Sequence, residues 1–187
     1  MRVISGIRKG HRLKSPKGSN IRPTEDKVKE SIFNILGPID QESIVLDGFG
    51  GTGSIGIEFL SRGAKFCYFI DNSINSIRLI HENLSITRFL DQSKVIKMDF
   101  FKALKSLKEE GLVFDYIYLD PPFRQNGFID KILQSISNEN ILADDGLIVI
   151  EHESELSLED ELYNFIKVDS RKYGSKTITF YKKSRWT

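Results

Sequence analysis

From residue 43 onward, short apolar runs alternate with amphipathic stretches. The apolar runs predict strands at residues 44–47, 65–71, 94–98, 114–120 and 147–151. Between them, apolar positions three or four residues apart predict helices at 54–62, 74–88, 101–109 and 128–137. Several runs are apolar throughout, which is typical of parallel strands that are covered on both faces. The pattern therefore predicts an α/β fold with a Rossmann-like, doubly wound and mostly parallel sheet.

Both ends of the chain depart from this alternation. After residue 151 we expect a short helix near 157–163 and two strands, 165–173 and 176–183, separated by Gly174 and Ser175. A two-residue turn can join only antiparallel strands. The sheet of about seven strands is therefore predicted to end in an antiparallel hairpin. Residues 2–13, interrupted by Gly6 and Gly10, predict a small N-terminal β-hairpin. Thr24 is expected to cap a helix that ends before Gly37.

Composition narrows the class of protein. The 187 residues, 40% of them hydrophobic, suffice for one sizeable core. The single cysteine, the polar start of the chain and the lack of a membrane-length apolar run favour a cytoplasmic protein without membrane association. We interpret Cys67, inside an apolar strand, as a buried structural thiol. The three histidines lack metal-ligand spacing, so no metal site is predicted.

Charge is distributed unevenly along the chain. The first 29 residues contain nine Lys or Arg and two acidic residues, whereas the formal net charge of the whole chain is only +1. We expect residues 1–22 to form a basic extension and residues 23–187 to form the main domain. A basic arm on an acidic body is typical of a protein that binds a polyanion, although a solvated tail has the same composition.

The stretch DGFGGTGSIG at residues 47–56 follows the first predicted strand of the sheet. Its residues 51–56 fit the G-x-G-x-x-G pattern of dinucleotide sites, and Asp71 follows Gly51 at the distance of a ribose-binding carboxylate. Asp47, directly before the glycines, would repel a pyrophosphate and favour an amino-bearing ligand. S-adenosylmethionine (SAM) is such a ligand, because it carries an ammonium and a sulfonium group and no phosphate.

The sequence Asp-Pro-Pro-Phe at residues 120–123 follows the fourth strand. Its prolines restrict the backbone and remove two donors, so that the Asp120 carboxylate and the Pro121 carbonyl become fixed acceptors. Phe123 offers a face on which a base can stack. Together they indicate a pocket for a flipped base with an exocyclic amine, with a rigid surface loop as the alternative. Glu151 and Glu153, after the fifth strand, are interpreted as solvated.

Residues 45–53, 60–64 and 120–123 resemble the motifs of class I SAM-dependent methyltransferases. The segment Arg22-Pro23-Thr24, after a basic hairpin, is similar more narrowly to the RsmD-type 16S rRNA (guanine-N2)-methyltransferases. Gly48 and Gly50 depart from that family's usual loop, so we expect the loop to be looser. The resemblance implies methyl transfer from SAM to guanine N2 of 16S rRNA in the small ribosomal subunit.

The resemblance also implies roles for individual residues. The cofactor is expected to bind Asp47, Gly48, Phe49, Gly50, Gly51, Thr52, Gly53, Asp71, Asp99 and Phe100. The catalytic residues are expected to be Asp120, Pro121, Pro122 and Phe123. The RNA is expected to contact Arg8, Lys9, Arg12, Arg22 and Thr24, although a salt bridge that fastens Arg22 to the core is equally compatible with the sequence.

Three other functions remain compatible with parts of the pattern. A DNA adenine-N6 methyltransferase would use the same pocket, but it usually carries a target-recognition domain. A NAD-dependent oxidoreductase would share the glycine loop, but no substrate domain or hydride-transfer acid or base is evident. A non-catalytic RNA-binding module would keep the basic arm and lose the pocket residues, which are present here.

Overall fold

The computed structural model describes residues 1–16, 23–122 and 127–184, apart from the side chains of residues 23–25. Helices and strands alternate along most of this chain. In order, they are α1 Pro23–Leu36, β1 Ile44–Asp47, α2 Ser54–Ser61, β2 Phe66–Asp71, α3 Ile74–Thr87, β3 Ser93–Lys97, α4 Phe100–Glu109, β4 Phe114–Leu119, α5 Phe128–Glu139, β5 Leu142–Glu153, β6 Glu161–Leu162, β7 Phe165–Tyr173 and β8 Lys176–Lys183. Short 3-10 turns lie at Gly6–Arg8 and Leu90–Gln92.

The strands form one sheet whose order, across the described residues, is β3-β2-β1-β4-β5-β8-β7-β6. Strands β1 to β5 pair in parallel, and β8, β7 and β6 pair antiparallel at the other side. The predicted doubly wound sheet with an antiparallel C-terminal hairpin is therefore confirmed. The additional strand, β6, is only two residues long and pairs with the start of β7.

The short helix expected near residues 157–163 is wrong: residues 156–159 have no regular secondary structure, and β6 follows at residues 161–162. Leu156 and Leu158 both pack against the apolar core. Residues two apart share a face in a strand but not in a helix, so the packing of both leucines against the core disfavours a helix here. The Lys167 amide donates to the Asp160 carbonyl at 2.7 Å and holds the segment against β7.

Two apolar cores lie on the two faces of the sheet. Helices α1, α2 and α3 cover one face with residues such as Phe33, Ile57 and Leu84. Helices α4 and α5 cover the other with residues such as Leu104 and Ile132. Burial on both faces accounts for the continuous apolar runs in the strands. No helix in the described parts of the chain is long and apolar enough to cross a membrane.

The first 16 residues, which we call the arm, pack against α1, α2 and α3. The predicted hairpin is reduced to one antiparallel bridge, between Arg2 and Arg12, around the 3-10 turn. Val3 and Leu13 belong to the same core as the helices. Gly6 has a φ of +79°, and a Cβ atom there would lie 1.7 Å from the carbonyl oxygen of Ser61. Only glycine fits so close an approach, which fixes the path of the arm across α2.

A buried ionic cluster joins the arm to α2. The Glu58 carboxylate is fully buried and accepts the backbone amides of Ile4 and Ser5 at 2.8 and 2.9 Å. It also pairs with Lys29 at 3.5 Å and Arg62 at 2.9 Å. Because each oxygen of the carboxylate receives donors, the cost of burying its charge is offset.

Candidate active site

A cleft of about 860 Å³ lies at the carboxyl ends of the parallel strands. The glycine loop after β1, the ends of β2, β4 and β5, and the start of α4 form its walls. In open α/β sheets the ligand-binding crevice lies at this edge. Nine of the predicted site residues line it, namely Gly48, Phe49, Gly51, Asp71, Asp99, Phe100, Asp120, Pro121 and Pro122.

The glycine loop is tightly packed. A Cβ atom on Gly48 would lie 2.7 Å from the Phe100 ring, and one on Gly50 would lie 2.8 Å from Ile80. The loop is therefore not loosened by the two glycines that depart from the family pattern. Phe49 stacks on Phe100 with ring centroids 4.8 Å apart and an interplanar angle of 20°. The two aromatic rings make an apolar wall beside the loop.

Two carboxylates brace this part of the cleft. The Asp71 oxygens accept the amides of Gly51 at 2.9 Å and Ser73 at 2.8 Å, so the end of β2 holds the glycine loop. Asp99 caps α4 by accepting the amide of Lys102 at 3.2 Å. Both carboxylates also line the cleft and can accept bonds from hydroxyl or amino groups of a ligand.

Asp47 lies behind the glycine loop and is not among the residues that line the cleft. The residue is 1% exposed, and one oxygen of its carboxylate accepts the Gly56 amide at 3.1 Å. The other oxygen, Oδ1, has no hydrogen-bond partner among the described residues. Burial raises the pKa of Asp47 to about 8, against the opposing effect of the Gly56 bond. Gly50, Thr52 and Gly53 likewise do not line the cleft.

Asp120 belongs to a group of charges that the sequence did not reveal. The Lys176 ammonium lies 3.7 Å from Asp120, 3.4 Å from Glu151 and 3.7 Å from Glu153. The Tyr118 hydroxyl donates to Glu151 at 2.9 Å. We had expected Glu151 and Glu153 to be solvated, but both pair with Lys176. The two glutamates are two residues apart on β5 and therefore share one face of the sheet. The pairing of β5 with β8 places Lys176 opposite Glu153.

The cleft is strongly acidic. Among the described residues that line it, six carry carboxylates and one, Lys176, carries a side-chain amine or guanidinium. The six are Asp71, Asp99, Asp120, Glu151, Glu153 and Glu155. Such a field attracts cationic groups and repels phosphates. The described residues contain no group of three or more His, Cys, Asp or Glu side chains arranged to hold a metal ion.

The predicted RNA-binding residues of the arm lie away from the cleft lining. The Arg8 guanidinium donates to the Thr87 carbonyl at 2.8 Å and lies over the Phe89 ring, so Arg8 fastens the arm. Lys9 and Arg12 are exposed. The predictions for Arg22, for Phe123 and for the side chain of Thr24 fall outside the described residues.

Asn83 on α3 joins the arm to the glycine loop. Its amide donates to the carbonyls of Lys14 at 3.0 Å and Thr52 at 2.8 Å, and its oxygen accepts the Lys14 amide. The arm therefore supports the rear of the loop. The sequence shows only a polar residue within the predicted helix, so neither the burial of Asn83 nor its partners could be predicted from it.

The family model described as "Conserved hypothetical protein 95" matches residues 1–182. The chain belongs to this family. The chain is also similar to "Putative rRNA methyltransferase YlbH" of Bacillus subtilis, with 38% identity over 183 residues that cover 98% of this chain and 99% of the relative. "Ribosomal RNA small subunit methyltransferase D" of Haemophilus influenzae is 34% identical over 159 residues, covering 84% and 81%. The family resemblance drawn from the sequence motifs is thereby confirmed.

Solved structures share the fold. The structure titled "Putative methyltransferase yhhF from Escherichia coli" is 26% identical, covers 98% of both chains and has a TM-score of 0.84. The structure of SMU.776, titled a putative methyltransferase complexed with SAH, is 17% identical and covers 86% of this chain and 50% of its own, with a TM-score of 0.66. The predicted methyltransferase fold is confirmed.

Proposed function

We propose that this protein transfers a methyl group from SAM to the exocyclic N2 amine of a guanine in 16S rRNA of the small ribosomal subunit. The observation that carries the proposal is the placement of Asp120, followed by two prolines, in an acidic cleft beside the glycine loop. The curated relatives named as rRNA methyltransferases support RNA as the substrate.

The cleft suits SAM better than a dinucleotide. The acidic lining would repel a pyrophosphate, whereas the ammonium and sulfonium groups of SAM are cationic. SAM would supply the methyl group. Asp71 would accept the ribose hydroxyls, Asp99 and the apolar surface around Phe100 would hold the adenine, and the loop at Gly48 and Gly51 would border the methionine part. The unpartnered, buried oxygen of Asp47 fits a cation on the other side of the loop.

Asp120 has the chemistry that the transfer requires. The lone pair of a guanine N2 amine is delocalised into the ring, so positive charge develops on the nitrogen as the new bond forms. A carboxylate at that point orients the amine by accepting its N–H and stabilises the developing charge. Asp120 can then receive the proton that the methylated nitrogen releases. The Pro121 carbonyl supplies a second acceptor for the amine.

The acidic cleft also constrains how RNA binds. A phosphate backbone cannot enter it without strong repulsion, so the target base must leave its stack while the backbone stays outside. Exposed cations such as Lys9 and Arg12 on the arm would contact the backbone there. Stacking on Phe123 would retain the flipped base.

The proposal is tested by transfer of labelled methyl from SAM to small ribosomal subunits, naked 16S rRNA and duplex DNA, followed by nucleoside analysis. We expect N2-methylguanine in rRNA. Labelled N6-methyladenine in DNA, or no transfer to any RNA, would contradict the proposal.

The Asp120→Ala variant tests the proposed role of the carboxylate. Loss of a group that stabilises transition-state charge lowers kcat by about 10² to 10³. We therefore expect such a loss with SAM binding retained, measured by calorimetry. Asp91→Ala, at an exposed aspartate after α3, is the matched control and should keep full activity. Turnover near that of the unmodified protein in Asp120→Ala would refute the assignment.

A further inference from the structure

One cation faces three carboxylates at the catalytic end of the cleft. Lys176 begins β8, its side chain is 36% exposed, and its ammonium lies within 3.7 Å of Asp120, Glu151 and Glu153. The register of β5 with β8 fixes this position, because Glu153 pairs with Lys176 across the two strands. The cation is therefore held by backbone pairing as well as by charge.

The groups around Asp120 come from several elements. Glu151 and Glu153 face it from β5, Lys176 from β8, and the Tyr118 hydroxyl lies nearby on β4. The carboxyl group of Asp47, the last residue of β1, also interacts with Asp120. His152 also lines the cleft, but both of its ring nitrogens have partners, the Thr179 hydroxyl at 2.8 Å and the Glu153 carbonyl at 3.0 Å. Lys176 is the one Lys or Arg among the described residues that line the cleft, and its charge counters the repulsion that Asp120 experiences from its acidic neighbours.

We propose that Lys176 is a positioning residue, which holds Asp120 as an ionised carboxylate aimed at the target amine. The inference rests on the proposed function. Only the ionised form offers acceptors on both oxygens and a full negative charge to an amine that becomes positive. A protonated Asp120 would present an O–H group that competes with the amine as a donor.

The direction of the pKa shifts agrees with this role. The side chain of Asp120 is 45% exposed, but the walls of the cleft remove much of its solvent, and this desolvation raises its pKa. The charge of Glu151 raises the pKa further, and Lys176 lowers it. Burial alone would lower the pKa of Lys176, yet the three carboxylates raise it overall, so the lysine stays charged.

The test compares Lys176→Met, Lys176→Arg and Lys182→Met. Lys182 lies on the same strand and is exposed, which makes it the matched control. The first measurement is the titration of the Asp120 carboxyl by ¹³C NMR in the protein alone, with the signal assigned from Asp120→Asn. The second is the pH dependence of kcat and of the KM for SAM, with small ribosomal subunits from cells that lack this enzyme as substrate.

We expect the Asp120 titration and the acidic limb of kcat to move upward by about one pH unit or more in Lys176→Met. Its kcat should fall about tenfold at a pH on that limb and recover at pH 9, with the KM for SAM unchanged. Lys176→Arg should restore the profile, and Lys182→Met should not alter it.

An unchanged Asp120 titration in Lys176→Met would overturn the proposal. So would a loss of kcat by the same factor at every pH, because that result indicates a structural role. If the unmodified protein methylates no RNA, the proposed function fails, and the NMR titration still decides whether Lys176 holds Asp120 ionised.

Discussion

Asp47 provides the sharpest test of how burial controls this site. The Asp47→Asn substitution keeps the shape of the side chain and an oxygen that accepts the Gly56 amide, but it removes the ionisable group. Burial raises the pKa of Asp47 to about 8 from an ordinary value of 3.8. The folded protein therefore holds a proton that the unfolded chain releases, and stability contributed by this group is lost as the pH rises from about 4 to about 8.

The size of the effect follows from this shift. Each pH unit between the two pKa values changes the free energy of unfolding by about 1.4 kcal/mol. Between pH 5 and pH 8 we expect the stability of Asp47→Asn to rise by about 2 to 4 kcal/mol relative to the unmodified protein. Any packing cost of the amide is the same at each pH and cancels from this comparison.

Urea unfolding at pH 5, 6, 7 and 8 measures the difference directly. A difference that stays constant over this range would refute the reasoning, since Asp47 would then ionise as it does in water. A second experiment measures whether ligand binding changes the protonation of Asp47. Calorimetry of S-adenosylhomocysteine binding in two buffers of different ionisation enthalpy gives the number of protons that are released. If the ammonium of the ligand acts on Asp47, binding at pH 7 releases a proton from the unmodified protein, and this release is absent in Asp47→Asn.

Two further predictions concern how the arm is held. Gly6→Ala places a Cβ against the Ser61 carbonyl, so we expect a loss of more than about 2 kcal/mol in urea unfolding and faster proteolysis of the arm. Gly10→Ala shares the positive φ but has no atom within 4 Å, and it should cost about 1 kcal/mol; equal losses would argue against the contact. Lys29→Met removes one partner of buried Glu58 and should lower the free energy of unfolding by about 3 kcal/mol. Lys27→Met, at an exposed position of the same helix, should lower it by less than about 0.5 kcal/mol. Equal losses would contradict a buried ion pair.

Much of the site was predictable because it depends on local sequence. The glycine loop, Asp71 and the Asp-Pro-Pro segment each lie at the carboxyl end of a strand, and parallel strands bring these ends to one edge. The ligand contacts assigned to these residues remain predictions. The burial of Asp47 was not predictable, because it depends on how α2 packs behind the loop.

Two features of the structure were not visible in the sequence, and the predicted contact of Arg8 with RNA stays a prediction. In the sequence, Arg8 is one of several basic residues near the start of the chain. In the structure, its guanidinium donates to the Thr87 carbonyl and lies over the Phe89 ring. Residues 157–163 carry helix-forming side chains, yet they form no helix, and Leu156 and Leu158 both pack against the apolar core. In both cases the observed arrangement depends on contacts with residues far away in the chain, which the local sequence does not show.

The sequence by itself determined the order of strands and helices, the doubly wound sheet and the positions of the loops that line the cleft. These follow from the period of apolar residues and from where glycine and proline interrupt it. The tertiary structure alone decided which charges meet. Lys176 lies 56 residues after Asp120 in the chain, and only the antiparallel pairing of β8 with β5 brings its ammonium to that carboxylate. Electrostatic energy depends on distance in space, so the charges that act on Asp120 become visible only once the strands are paired.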